Sequence, residues 1–246
     1  MDRVIYTAFA GMEAAMNRQR AVASNMANAQ TPGFRAENFS VQAVALRGAS
    51  LEARAMGRGA VYGADLSHGS MAITGNRLDI ALLGDAMMAL QANDGSEVYT
   101  RRGDLRIGPG GVLENGEGRP VMGQSGPITV PLGQDISIAE DGSVLAADPQ
   151  APDAPAQNIG RIKLASIAGS RIVKDTDGFL RVNGGGILPA DEAARLTTGS
   201  LEQSNVSTTQ VLSDMIEAQR SFEMRAKLLT TASSIDETGA RLMSLR

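Results

Sequence analysis

At 246 residues the chain is long enough to bury a core and to hold one large or two small domains. It has no cysteine, a single histidine and only 3% aromatic residues against 28 glycines, which excludes thiol chemistry and a disulfide scaffold and favours a turn-rich β protein over a compact enzyme. Net charge is -4, with the acidic excess confined to residues 31–200; no basic face invites a nucleic acid, and no uncharged apolar run reaches membrane-spanning length, so neither nucleic-acid binding nor membrane insertion is expected.

The first predicted element is a helix from Val4 to Asn28. Ile5, Phe9, Met12, Met16, Val22 and Met26 recur with helical period over about seven turns, and Ala8, Ala15, Ala23 and Ala27 widen the same face. Alanine-rich flanks allow a partner backbone to approach closely. The sequence Thr31-Pro32-Gly33 stops the helix region, since proline pushes the residue before it out of the α region. Asp2 beside Arg3, with no continuous apolar h-region, does not read as a cleavable secretory signal.

Residues 31–75 read as an extended, glycine-interrupted connector. From residue 76 to 199 short apolar runs alternate with turn signals, giving a β-rich domain. Asp94-Gly95, Gly110-Gly111, Asn115-Gly116, Glu117-Gly118 and Asp141-Gly142 each predict a hairpin turn, and the segment ISIAEDGSVLAA is the clearest hairpin. A Pro/Ala loop at 147–158 precedes two or three further strands, the last ending at Gly184-Gly185-Gly186.

Past Gly199 the period is helical again. Met215, Phe222 and Leu229 are spaced by seven, as are Leu228, Ile235 and Leu242, with Leu212, Ile216 and Ala226 widening the stripe. Asn205 or Ser207 can cap this helix. A single helix cannot bury its stripe alone. The terminal helices therefore pack on the β domain, or on each other and on neighbouring copies. Length favours the second arrangement, because 30 to 40 residues of helix span ~45 to 60 Å. The predicted fold is a mainly β central domain (α+β overall) flanked by long terminal helices that pair as a coiled-coil-like inner domain, built from residues 1–30 and 200–246.

Catalytic signatures are sparse. His68, the one histidine, sits in DLSHGSM, a surface-loop context. No HExxH, phosphate-binding glycine loop or Walker-type lysine is present. Asp214 and Glu217 could share a helix face, but Arg220 nearby makes a solvated ion-pair ladder the plainer reading than a carboxylate pair. Arg102-Gly103-Asp104 spells an adhesion tripeptide in a place where a hairpin must turn. No enzyme activity, cofactor or metal site is expected.

The two ends carry a resemblance. The segment MDRVIYTAFAGMEAAMNRQRAVASNMANAQTPGFR resembles the N-terminal segment of the flagellar rod and hook proteins, at Gln19, Ala23, Asn25, Ala27, Asn28, Thr31, Pro32, Gly33 and Phe34. The segment GSLEQSNVSTTQVLSDMIEAQRSFEMRAKLLTTAS is similar to their C-terminal motif, at Gly199, Leu201, Glu202, Ser204, Asn205, Val206, Met215, Ile216, Gln219, Arg220, Phe222 and Glu223. In the middle, GSMAITGNRLDIAL and YTRRGDL look like the family's entry into its outer domain. MDRVIY and GPITVP look most like the proximal rod member. One departure follows Gly84: where the family usually has a glycine and paired phenylalanines, this chain reads Asp85-Ala86-Met87-Met88.

The resemblance implies a structural axial subunit of the flagellar basal-body rod. It implies a location in the periplasm-spanning rod, export through the flagellar type III apparatus without signal cleavage, and helical assembly with other proximal and distal rod subunits to transmit torque and enclose the export channel. A distal rod protein of the same family, and a secreted carbohydrate-binding or adhesive β domain, remain as alternatives at this point.

Overall fold

The computed structural model describes residues 2–47, 52–151, 154–175 and 177–244. Helix α1 (Asp2–Ala27) is followed by two long strands, β1 (Glu37–Arg47) and β2 (Glu52–Ala64). Short strands come next: β3 (Met71–Ile73), β4 (Ile80–Leu82), β5 (Ala86–Gln91), β6 (Glu97–Thr100), β7 (Leu105–Ile107), β8 (Leu113–Asn115), β9 (Asp135–Ile138) and β10 (Ser143–Ala147). The β region ends with β11 (Gln157–Arg161), β12 (Leu164–Ser166), β13 (Ile172–Lys174), β14 (Leu180–Val182), β15 (Leu196–Thr198) and β16 (Ser200–Glu202), before helix α2 (Thr208–Ser244). The chain is mainly β with one helix near each end.

Two compact units emerge. A helical unit comprises residues 1–27, 37–63 and 206–246; a β unit comprises 28–36 and 64–205. The stretch read from sequence as a connector contributes to both. Within it β1 and β2 pair as a two-stranded sheet.

The β unit is organised around a five-stranded antiparallel sheet in the order β12-β5-β6-β14-β13. A three-stranded sheet, β11-β10-β9, and the pairs β15–β4, β16–β3 and β7–β8 complete it. β5 is buried on both faces, which explains its unbroken apolar sequence. Met88 and Leu90 join Ile80, Leu113, Val121, Val144 and Leu196 in the larger core, while Met87 and Ala89 join Tyr99, Leu180 and Leu188 on the other side. The departure from the family's paired phenylalanines is thus filled by two methionines pointing opposite ways, flexible enough to fit irregular space. ISIAEDGSVLAA forms the expected hairpin, with Val144 opposite Ile138 and alternate residues buried.

In the helical unit α1 and α2 touch along their lengths. Gly11 lies against the Arg225 guanidinium and Arg18 Nη2 is 3.3 Å from Glu217 Oε2. Advancing seven residues along α1 retreats eight along α2, so the helices run antiparallel. The packed face of α1 is its alanine face: Ala10, Ala14, Ala15, Ala21 and Val22 are buried. The larger side chains of the stripe read from sequence, Phe9, Met16 and Met26, lie outside. Small residues win the inner position because they let neighbouring backbone come close; Asn17 Nδ2 reaches Gly59 O at 3.1 Å. On α2, Val211 and Ala218 are buried, and Met215, Phe222 and Leu229 are half-buried on the same side. The side chains of Ile5 and Leu242 lie outside those the structure describes.

An α1 face made largely of alanine, met on α2 by side chains that are mostly only half-buried, removes little apolar area from water, whereas a fully buried leucine or methionine contributes about 1.5–3 kcal/mol. In a demonstrated monomer, amides of α1 and α2 exchange with solvent faster than those of β5 and β6, by roughly two orders of magnitude. Equal protection of helices and sheet, measured by hydrogen-exchange mass spectrometry, contradicts this ordering.

Candidate functional site where the terminal motifs meet

The N-terminal motif folds as a turn leaving α1. The side-chain amide of Asn25 behaves as a strand neighbour to Glu37: Glu37 N–H donates to Asn25 Oδ1 at 2.7 Å, and Asn25 Nδ2 donates to Glu37 O at 3.1 Å. Ser24 Oγ also donates to the Glu37 carboxylate, at 2.8 Å. Asn28 accepts from Thr31 twice, main chain to main chain at 3.1 Å and hydroxyl to Oδ1 at 3.2 Å, and Phe34 N–H returns to Thr31 O at 3.3 Å. Pro32 fits here because its missing N–H is not needed. Gly33 has φ of 68°, and a Cβ on it would collide with the backbone of Arg101 and Arg102. Both the angle and the space demand glycine. Its N–H donates to Glu202 O at 2.7 Å, which ties the N-terminal motif to the C-terminal one.

Glu202 is the centre of the site. Its side chain is 1% exposed and lies between two buried arginines: Arg35 Nη2 is 2.7 Å from Oε1, and Arg101 Nε is 2.6 Å from Oε2. The Gly69 N–H donates to Oε1 at 2.8 Å. Burial raises the Glu202 pKa, but the hydrogen bonds from Arg35 and Arg101 outweigh it and hold the carboxyl below its ordinary value. Burial likewise pulls Arg101 down, against the upward pull of Glu202. The rest of the Arg101 guanidinium donates to Gly84 O at 2.6 Å, Ala86 O at 2.7 Å and Leu82 O at 2.5 Å. One side chain thus satisfies the carbonyls of the β4–β5 turn while neutralising Glu202. Phe34 is half-buried beneath Lys174, whose Nζ sits 3.6 Å from the ring centroid and donates to Arg35 O at 2.8 Å.

Asn205 is a second tie. Its Oδ1 accepts from Ala36 N–H at 2.8 Å, and its Nδ2 donates to Asp65 O at 2.9 Å and Ser67 O at 3.0 Å. The chain passes from one unit to the other after residues 27, 36, 63 and 205. Asn205 therefore gathers, within the β unit, the chain at three of these four passages. It does not cap α2; Ser207 does, accepting from Gln210 N–H at 3.4 Å. Gly199 turns the chain between β15 and β16, accepting from Thr74 and Gly75 N–H, and Leu201 is buried opposite Ala72. Ser204 and Val206 are half-buried.

The α2 part of the motif divides between two faces. Met215 and Phe222 lie on the half-buried side with Ala218. Ile216, Gln219, Arg220 and Glu223, at i, i+3, i+4 and i+7, share one exposed face. Glu217 pairs with Arg18 of α1, and Asp214 accepts from Gln210 Nε2 at 3.1 Å.

Sequence reasoning placed Glu202 and Asn205 in the motif but missed Arg35, Arg101, Gly69 and Asp65 as their partners. Arg35 and Arg101 both stand in the quoted stretches, yet nothing in a sequence marks an arginine as buried. His68, half-exposed, lies 3.6 Å from Asp85 and 3.7 Å from Glu202, and no group of three metal-binding side chains occurs among the described residues. The Arg102 guanidinium is occupied by Asp104 at 2.7 and 2.9 Å and by Glu117 at 2.8 Å, so the adhesion tripeptide is folded onto itself.

Glu202→Gln keeps the shape and removes the charge, leaving two buried guanidinium groups without a counter-ion; it lowers unfolding free energy by about 3–5 kcal/mol in urea titrations. Because the folded carboxyl titrates below its unfolded value, its contribution is complete above the ordinary carboxylate range and is lost as pH falls through the depressed folded value. The wild-type chain shows that acid-induced loss and the Gln variant does not. Gly33→Ala, strained in φ and in space, costs about 1–3 kcal/mol or more in the same titration; an unchanged midpoint would show that the turn relaxes freely.

Three family models match the chain: flagella basal body rod protein over residues 5–35, flagellar hook protein FlgE/F/G D1 domain over 81–146, and flagellar basal body rod FlgEFG protein C-terminal over 197–242. The chain is 40% identical to the flagellar basal-body rod protein FlgF of Salmonella typhimurium and 41% identical to that of Escherichia coli, in each case over 100% of this chain and 98% of the relative. It is 28% identical to the flagellar basal-body rod protein FlgG of Bacillus subtilis, over 96% of this chain and 97% of the relative. The outer two matches coincide with the segments that meet at Glu202, and on this evidence the chain belongs to the flagellar basal-body rod protein family, as an FlgF-like member.

Proposed function

We propose that this chain works as a structural subunit of the proximal rod of the flagellar basal body, in which residues 1–30 and 200–246 form the inner, assembling part and residues 76–199 an outer β domain. The identity to FlgF relatives exceeds that to the FlgG relative, which favours the proximal over the distal position. The assembled partners are other rod subunits, met through the terminal helices packed in coiled-coil fashion. The flagellar type III export apparatus delivers the subunit. The role is to transmit torque and help line the export channel.

One observation carries this reading. Both helices hold large apolar side chains on the faces they turn away from each other. On α2, Leu212, Ile216, Met224, Leu228 and Ile235 are exposed, Met224 at 66%; on α1, Phe9 is exposed at 61% and Met16 at 50%. Nothing among the described residues covers them. Exposed apolar surface of this extent marks an interaction site. The family-motif positions Ile216, Gln219, Arg220 and Glu223 lie on this outward side, where the subunit's own fold gives them no task.

Ile216→Asp combined with Leu228→Asp tests the reading. Neither side chain supports the subunit's own core, so the unfolding free energy of the purified chain changes by only about 0.5 kcal/mol. Export of the subunit continues, while rod assembly and swimming are lost. Normal swimming by the double variant would remove the assembly role of this face. A variant that stays inside the cell would instead assign the face to export.

A further inference from the structure

Two asparagine–glycine pairs occur in the chain, Asn115-Gly116 and Asn183-Gly184, and the fold treats them in opposite ways. Every other asparagine is followed by a residue with a side chain, which shields the next main-chain nitrogen. Asn115 is fully buried. Its Oδ1 accepts from the N–H groups of Glu117 at 3.1 Å and Arg119 at 2.8 Å, and its own N–H and C=O are bonded to Arg119 and Gly118. The side-chain carbonyl is turned toward residues 117 and 119 and held there.

Asn183 stands at the exposed end of β14. Its N–H donates to Arg171 O at 2.8 Å, closing the β13–β14 pair, but its side chain has no hydrogen-bond partner among the described residues. Gly184, Gly185 and Gly186 follow with φ of 85°, 83° and 132°. A Cβ on Gly184 would meet nothing within 4 Å, so open space surrounds that residue. The Gly184 nitrogen carries no steric shield, and its N–H donates to no described group.

We propose that Asn183 is a site of spontaneous deamidation in the folded protein and that the fold protects Asn115 from the same reaction. The Gly184 nitrogen loses its proton to solvent base and attacks Asn183 Cγ. The bond from Cγ to the side-chain nitrogen breaks, and that nitrogen leaves as ammonia, taking up a proton from solvent. The five-membered succinimide then adds one water. Opening at one carbonyl gives aspartate, opening at the other gives isoaspartate, and no oxidant or cofactor takes part. The product carries one more negative charge than the parent chain. As isoaspartate it also inserts an extra methylene into the main chain where the edge strand β13 of the five-stranded sheet is closed. The rod assignment is not needed for any of these steps.

The test holds purified full-length protein in mildly alkaline buffer and maps peptides by mass, reading a gain of about 1 Da per event. In the folded protein the peptide with Asn183 converts, and the peptide with Asn115 converts more slowly by roughly tenfold or more, since it must first open locally. In concentrated urea the two rates converge, because the difference belongs to the fold. Asn183→Gln abolishes the main mass gain. Equal conversion of both sites in the folded chain overturns the proposal, as does a folded Asn183 that stays intact while both sites convert in urea.

Discussion

The rest of the β unit is arranged around a carboxylate buried between two guanidinium groups. Taking Glu202, Arg35 and Arg101 out of water is expensive, and the attraction among them repays that only when geometry is close and the remaining donors are used. Arg101 meets this condition fully, with one bond to Glu202 and three to carbonyls around the β4–β5 turn. Arg35 meets it partly, since its Nε and Nη1 have no partner among the described residues. The cluster therefore fixes geometry more than it adds stability. It forces the segment after α1, the chain at Gly69, the β4–β5 turn and the end of β16 into one register, since moving any of them strands a buried charge.

Around that cluster the neutral contacts are aligned to the same end. Gly33 brings its N–H to the Glu202 carbonyl only because it has no Cβ and takes positive φ. Asn205, three residues beyond Glu202, uses one amide to hold Ala36, Asp65 and Ser67. Asn25 does the equivalent for α1 and β1 within the helical unit. Polar side chains that imitate a strand's donor and acceptor are well suited to places where the chain changes from helix to sheet, because main-chain groups there have lost their regular partners.

The helices follow a different rule. Each is apolar on two sides; α1 is small within and large without, whereas α2 sets Val211, Ala218 and half-buried Met215, Phe222 and Leu229 within. Alanine on the inner face allows close approach but buries little area, so the pair gains modestly from its own packing. Phe9 and Met16 of α1 and Leu212, Ile216, Met224, Leu228 and Ile235 of α2, which would contribute more, face outward. For a solitary protein this would be a poor distribution of apolar surface; it suits the assembling role proposed for the helices.

Sequence alone determined the elements whose period is strong and local: the two terminal helices, the hairpin around Asp141-Gly142, and the stop after α1. It also made the ends recognisable, because their motifs are long and ordered. Tertiary structure decided the rest. Periodicity shows that a helix has an apolar stripe but not which of two competing stripes is inside, and in α1 backbone approach selected alanine over phenylalanine and methionine. The stretches of β1 and β2 read as a connector because glycine and alanine interrupt the apolar alternation that would mark paired strands. Arg35, Arg101 and Glu202 are separated by 66 and 101 positions in the chain, read directly from their numbers; only folding brings their charges together, and burial, which gives those charges their importance, is a property that no residue carries by itself.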